Sequence, residues 1–263
     1  MGADWRVFVG RSWWGKPIHY NLRGRTPHVG IAGATGSGKS EFLKLLLYSA
    51  CQKQDEKHLE IHIIDLKGGA TFTAWRHAPQ VKGLYRTTVE ALGCLTTIEE
   101  EMWRRLDAID KARYAFQPDP WFKEAFVVID EGGELSPEGA YGDEKKLRTA
   151  CMHVLSTLVR IGREPGVHII HATQRPDADT LPTTIRSQLE TRFCFRVAED
   201  LDSRIVLRHN GAEKIPLIPG RMIMQTPNSE QLVQAAYVSP SQVITWLQSY
   251  KVAAPYGIDA PLV

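Results

Sequence analysis

The segment Gly33-Ala34-Thr35-Gly36-Ser37-Gly38-Lys39-Ser40 constrains this chain more than any other. It follows the apolar run His28-Val29-Gly30-Ile31-Ala32 and precedes a stretch with helical spacing. Strand, glycine-rich turn and helix, in that order, make a phosphate-binding loop. Glycines permit the tight curvature that lets successive N–H groups converge on phosphate oxygens, and the helix directs its positive end at the same charge. Gly33, Thr35, Gly36, Ser37 and Gly38 are the candidate cradle. Lys39 is the candidate partner of the β and γ phosphates, and Ser40 the candidate Mg²⁺ ligand. The loop thus predicts ATP and Mg²⁺ as ligands.

Catalysis at such a loop needs an acid at the tip of a neighbouring strand. Phe126-Val127-Val128-Ile129 is strongly apolar and ends in Asp130-Glu131. Asp130 is expected to hold Mg²⁺ and Glu131 to polarise the attacking water, since both tasks need an anionic oxygen beside the γ phosphate. A third apolar run ends His171-Ala172-Thr173-Gln174, placing the polar amide of Gln174 where it can contact the γ phosphate or the water.

Strand-like runs at 29–32, 59–64, 125–129, 167–172 and 193–197 alternate with helical stretches at 40–51, 87–106 and 147–161. That alternation predicts an α/β fold: three layers, αβα, around a mostly parallel sheet. Short runs at 5–9 and 17–20 read as a hairpin before the core. Runs at 222–225 and 231–238 read as terminal strands paired across Pro227-Asn228. The stretch 132–146 is rich in Gly, Glu, Ser and Pro and reads as an exposed loop. Short helices are expected at 201–207 and 241–250, with a loosely held tail from Ala253. The division that follows is 1–26 as an N-terminal hairpin extension, 27–240 as the motor domain and 241–263 as a short helix and tail.

Composition adds limits. Lys and Arg number 32 against 30 Asp and Glu, so charge alone does not announce a nucleic-acid binder, although a ring could concentrate positive charge in a pore. Cys51, Cys94, Cys151 and Cys194 lack metal-ligand or redox spacing and read as isolated reduced thiols in a cytosolic protein. No run approaches the roughly 18 apolar residues of a membrane helix, and no signal peptide is visible. Membrane attachment is expected to come from another segment or another protein.

Taken together, "PHVGIAGATGSGKS" at 27–40, "GREPGVHIIHATQRPD" at 162–177, "RFCFRV" at 192–197, Asp202-Ser203-Arg204 and Gly211-Ala212-Glu213-Lys214 resemble the RecA-like P-loop motor domain of the FtsK/SpoIIIE family of DNA translocases. The resemblance implies a homohexameric ring around double-stranded DNA with ATP bound between subunits. It also implies an arginine finger from the neighbouring subunit, for which Arg163 is the first candidate and Arg160 the competitor. By the same similarity Arg175, Arg186 and Arg204 are candidate contacts to the DNA backbone, blind to sequence.

Asp65-Leu66-Lys67-Gly68-Gly69-Ala70-Thr71-Phe72 resembles instead a stretch of type VII secretion ATPases of the same superfamily. "IPLIPGR" at 215–221 places Arg221 where chromosome pumps usually carry an acid. This mixed character is similar to Gram-positive conjugative-transfer pumps of plasmids and integrative elements. A conjugative DNA pump is therefore the first expectation, and a type VII-like ATPase driving protein export the alternative. Membrane helices and a winged-helix domain, usual in the family, are not found. The chain reads either as an excised cytoplasmic motor domain of a membrane-associated bacterial protein or as a naturally short protein, and its expected partners are a membrane-anchored segment or transfer-apparatus proteins.

Overall fold

Every residue of the strand Glu124–Ile129 is buried. Side chains on a strand alternate between faces, so such a strand needs cover on both sides. Phe126 and Val128 join a core with Phe42, Leu43, Leu46 and Leu47 of one helix. Ala125, Val127 and Ile129 join a second core with Leu95, Ile98, Met102, Leu155 and Leu158 of two others. Two cores on two faces of one sheet make three layers.

The structure is a computed structural model describing residues 4–68, 70–177 and 180–253. Its elements run β1 (Arg6–Ser12), β2 (Pro17–Asn21), β3 (Val29–Ala32), α1 (Lys39–Lys53), β4 (Leu59–Ile64), β5 (Val81–Tyr85), α2 (Thr88–Tyr114), β6 (Glu124–Ile129) and α3 (Gly142–Ile161). They continue with β7 (Val167–Thr173), α4 (Thr183–Arg186), β8 (Thr191–Phe195), α5 (Asp200–Leu207), β9 (Arg221–Thr226), β10 (Ser229–Ala235) and α6 (Pro240–Ala253). The strand order is β2-β1-β10-β9-β8-β3-β7-β6-β4-β5. From β8 to β5 neighbouring strands are parallel. From β8 outward through β9, β10, β1 and β2 every pairing is antiparallel. The parallel half carries the candidate site at its carboxyl edge, where β3, β6 and β7 end side by side.

The structure departs from expectation in two places. The stretch 132–146 is not an exposed loop: Gly132, Leu135 and Ser136 are buried, and α3 already begins at Gly142. Leu135 supplies the reason, because it packs into the core beneath α3 despite its polar neighbours. The strand β5 was absent from the sequence reading; it pairs with β4 at the sheet edge and is half-exposed, so its apolar signal is weak. The hairpin at 6–21 extends the motor's own sheet: β1 pairs with β10, and Val7, Val9, Ile18 and Tyr20 enter the α1 core. The expected tail beyond Ala253 lies outside the described residues. All four cysteines are buried free thiols, and among the described residues no helix is long and apolar enough to cross a membrane.

Candidate nucleotide site

The loop between β3 and α1 is pinned from three sides. Gly33 N donates to Thr173 O at the end of β7, Ala34 N to Arg196 O beyond β8, and Gly220 N to Ser37 O. Gly38 caps α1 at φ 99°, in the left-handed region. A Cβ there would also lie 2.7 Å from Gly220 N, so both backbone conformation and space select glycine. The turn at 219–220 thus braces the start of the helix.

The loop delivers Lys39 to the acids on β6. Lys39 is buried; its Nζ donates to Asp130 O at 2.8 Å and stands 3.6 Å from Asp130 Oδ1 and 3.9 Å from Glu131 Oε2. Glu131 is also buried and is the hub of the site. Thr173 Oγ1 donates to its Oε1 at 2.8 Å, Gln174 N reaches both oxygens at 2.9 and 3.1 Å, and Lys67 Nζ donates to Oε2 at 2.8 Å. Burial pushes the Glu131 carboxyl up, but Lys67, the Gln174 amide, Lys39 and Thr173 outweigh it and hold the group below the ordinary glutamate range. It is therefore an anion near neutral pH, as a group that polarises water must be.

Gln174 joins the two halves, because Thr35 Oγ1 of the loop donates to its Oε1 at 3.0 Å. The structure therefore brings together Gly33, Thr35, Gly36, Ser37, Gly38, Lys39, Ser40, Asp130, Glu131 and Gln174. Sequence reasoning missed Lys67 as a site residue, treating it only as a mark of kinship. It also missed Asp65, fully buried at the end of β4, whose carboxyl is raised first by burial and then by the charge of Asp130. Position at the tip of a strand beside β6 was the available signal for both.

The residues present fit a nucleotide and its cation. Ser37 Oγ, within the loop, and Asp130 Oδ1, 3.6 Å from Lys39 Nζ, are buried polar atoms without hydrogen-bond partners. Buried polar atoms are costly to leave unpaired, so such atoms point to a missing ligand.

Arg163 and Arg160 lie elsewhere. Both are exposed at the end of α3 and the turn into β7, on the amino edge of the parallel strands. That turn is held by two hydrogen bonds: Arg105, a buried residue of α2, donates to Pro165 O at 3.0 Å, and Ala125 N donates to Gly166 O at 2.8 Å. Arg175 is exposed immediately after Gln174. Arg204 is exposed on α5 and pairs with Asp200 at 3.0 Å, an exposed pairing worth about 0.3–0.5 kcal/mol and easily exchanged for phosphate. Arg186 sits in α4, close to two arginines that sequence reasoning did not select. Burial lowers the Arg192 guanidinium from its ordinary value, and the charges of Arg208 and Arg186 lower it further against the pull of Glu190. This cluster arises from folding 186, 192 and 208 together and had no local sequence signal.

Comparison with known proteins bears on the class of protein. The family model described as FtsK/SpoIIIE family matches residues 3–117. The DNA translocase FtsK of Helicobacter pylori (strain J99) is 31% identical over 237 residues, covering 86% of this chain and 27% of its own length. The ESX-4 secretion system protein EccC4 of Mycobacterium tuberculosis is 29% identical over 234 residues, covering 82% of this chain and 18% of its own. The chain thus spans about a quarter or less of these relatives. In fold it is similar to the pCW3 conjugation coupling protein TcpA, solved as a monomer with ATPgS: TM-score 0.82, 24% identity, 95% of this chain and 72% of that one. The cytoplasmic domain of the Thermomonospora curvata type VII secretion ATPase EccC follows at TM-score 0.75 and 24% identity, over 99% of this chain and 33% of that one. The fold is that of RecA-like P-loop ATPase domains. Within that class, the chain is a member of the FtsK/SpoIIIE-like P-loop ATPase superfamily.

Proposed function

We propose that this domain moves double-stranded DNA by hydrolysing ATP, in a homohexameric ring serving conjugative or mobile-element transfer. One observation carries the reading. Gln174 contacts Glu131 through its backbone and Thr35 through its side chain, and the next residue, Arg175, opens the segment that leads to Arg186. The hub of the nucleotide site thus adjoins the exposed side chain of Arg175. In this account a change at the γ phosphate is passed through Gln174 to Arg175, which is what a sequence-blind grip on phosphate backbone requires.

Each residue has a task in this account. The amides of the loop and Lys39 hold the phosphates. Ser40 and Asp130 hold Mg²⁺, which when bound neutralises charge on the phosphoryl oxygens. Glu131 takes the proton of the attacking water, and Gln174 registers whether the γ phosphate is present. Arg163 enters the site of the adjacent subunit and stabilises charge in transfer; Arg160 is the alternative. Partners are further copies of the chain, duplex DNA, and a membrane-anchored segment or transfer-apparatus proteins, with the domain on the cytoplasmic side.

A salt titration of duplex binding tests the grip. Each phosphate contact contributes about 0.9 to the slope of log affinity against log salt, so Arg186→Ala should flatten it by about one. A specific observation favours a second reading: 65–72 resembles type VII ATPases, and EccC proteins are among the relatives. If duplex DNA fails to bind and a secreted-protein tail stimulates hydrolysis, protein export replaces DNA transfer.

A further inference from the structure

Glu131 accepts more hydrogen bonds than its work allows. A carboxylate offers about four lone-pair positions on its two oxygens. Thr173 Oγ1 and Gln174 N occupy Oε1, while Gln174 N and Lys67 Nζ occupy Oε2. No position remains for the proton of an attacking water. Of the three donors, the Thr173 hydroxyl ends a fully buried strand and the Gln174 amide is the backbone of the next residue, so neither leaves without moving the chain at the end of β7. The third is the tip of a long side chain, 38% exposed, on the connection after β4. Lys67 can leave by rotating its own bonds. It also lies at the phosphate end of the site, since the oxygen it holds is 3.9 Å from the Lys39 ammonium.

We propose that Lys67 is a γ-phosphate sensor that exchanges partners, resting on Glu131 when the nucleotide ends at the β phosphate and moving to the terminal phosphate when ATP is bound. The exchange uncovers Glu131 Oε2 for the attacking water. It is driven by a competing anion with more charge and more acceptor oxygens than a carboxylate. The base is then masked after phosphate release and free only beside an intact triphosphate. The connection at 65–68 gains a role beyond marking kinship, because of the three groups described as donating to Glu131 it carries the one that can leave the carboxylate without a backbone shift. The proposal rests on the assignment of Lys39, Asp130 and Glu131 to the nucleotide site.

Equilibrium binding of ADP and of the slowly hydrolysed analogue ATPγS, measured by calorimetry on the assembled protein with Mg²⁺, tests it. Lys67→Met should weaken ATPγS about tenfold, the value of one charge-assisted hydrogen bond, while ADP binding stays within about twofold. Lys67→Arg, which keeps the charge, should keep most of the preference for the triphosphate. Equal weakening of both nucleotides by Lys67→Met, or an unchanged preference in a variant that melts like the parent, would overturn the sensor. Lys39→Ala separates the two levels of the argument: it should weaken both nucleotides, and parental affinity for both would remove the site itself and the sensor with it.

Discussion

Arg163 and Gln174 stand at opposite ends of β7, one before Val167 and the other just after Thr173. Gln174 touches the phosphate loop and Glu131 of its own chain. Arg163 is separated from it by the length of the strand, about 20 Å at 3.3 Å per residue. An arginine side chain reaches about a third of that. A finger role for Arg163 therefore requires a second subunit, and under that proposal the same strand links the site a subunit owns to the residue it would lend.

Subunit mixing tests the lent residue. Arg163→Ala and Lys39→Ala should each be nearly inactive alone. Mixed, they form boundaries that pair an intact loop from one with an intact arginine from the other. Hydrolysis should reappear with a maximum near equal proportions. If Arg163→Ala keeps parental activity and Arg160→Ala loses it, the neighbouring arginine holds the role.

Replacing Glu131 by Gln removes the proton acceptor while keeping size and most contacts. Single-turnover hydrolysis should slow by about 10²–10⁴ with ATPγS affinity little changed. Lys39→Ala should instead lose binding. A Glu131→Gln variant that hydrolyses ATP at the parental rate would exclude Glu131 as the base.

Gly132 is fixed by its neighbour. A Cβ at this position would overlap the ring of His171, which is fully buried on the adjacent strand. Gly132→Ala should cost about 1–3 kcal/mol of unfolding free energy by overpacking. His171→Ala in the same chain should return part of that loss, with a coupling of at least about 0.5 kcal/mol between the pair. Additive effects in urea unfolding would show that the contact does not limit the backbone after Glu131.

His28 predicts part of the acid response. Its ring is buried, its Nδ1 accepts from Ile169 N at 3.1 Å, and its pKa is pushed down to about 3, first by burial and then by the charge of His168. The folded state therefore takes up the proton later than the unfolded chain does. Its contribution is intact above the ordinary histidine value near 6.5 and is lost as pH falls toward 3, amounting to about 2 kcal/mol by pH 5. His28→Asn keeps an acceptor for Ile169 and does not titrate. Its urea midpoint should fall less between pH 7 and pH 5 than that of the parent; parallel curves would contradict this account.

The parallel half of the sheet was legible because its strands are short, apolar and followed by the residues that do chemistry. Val29–Ala32 and Glu124–Ile129 are buried on both faces, so composition alone exposes them. β5 was not legible: three of its five residues are half-buried, one is exposed, and it borrows its order from β4. The loop, its lysine and the two acids were legible because each follows a strand end directly. Lys67 and the arginine cluster were not, since they depend on which strand ends become neighbours. Leu135 shows the same limit, a buried side chain set among Gly, Glu and Ser.

The ATPase rate per subunit, measured across protein concentrations with and without long duplex DNA, tests the central claim most directly. A shared site that grips DNA predicts a specific rate that rises steeply as subunits assemble and rises further with duplex DNA. A rate per subunit that is constant from dilution to saturation and indifferent to duplex DNA would contradict both the shared site and the DNA motor.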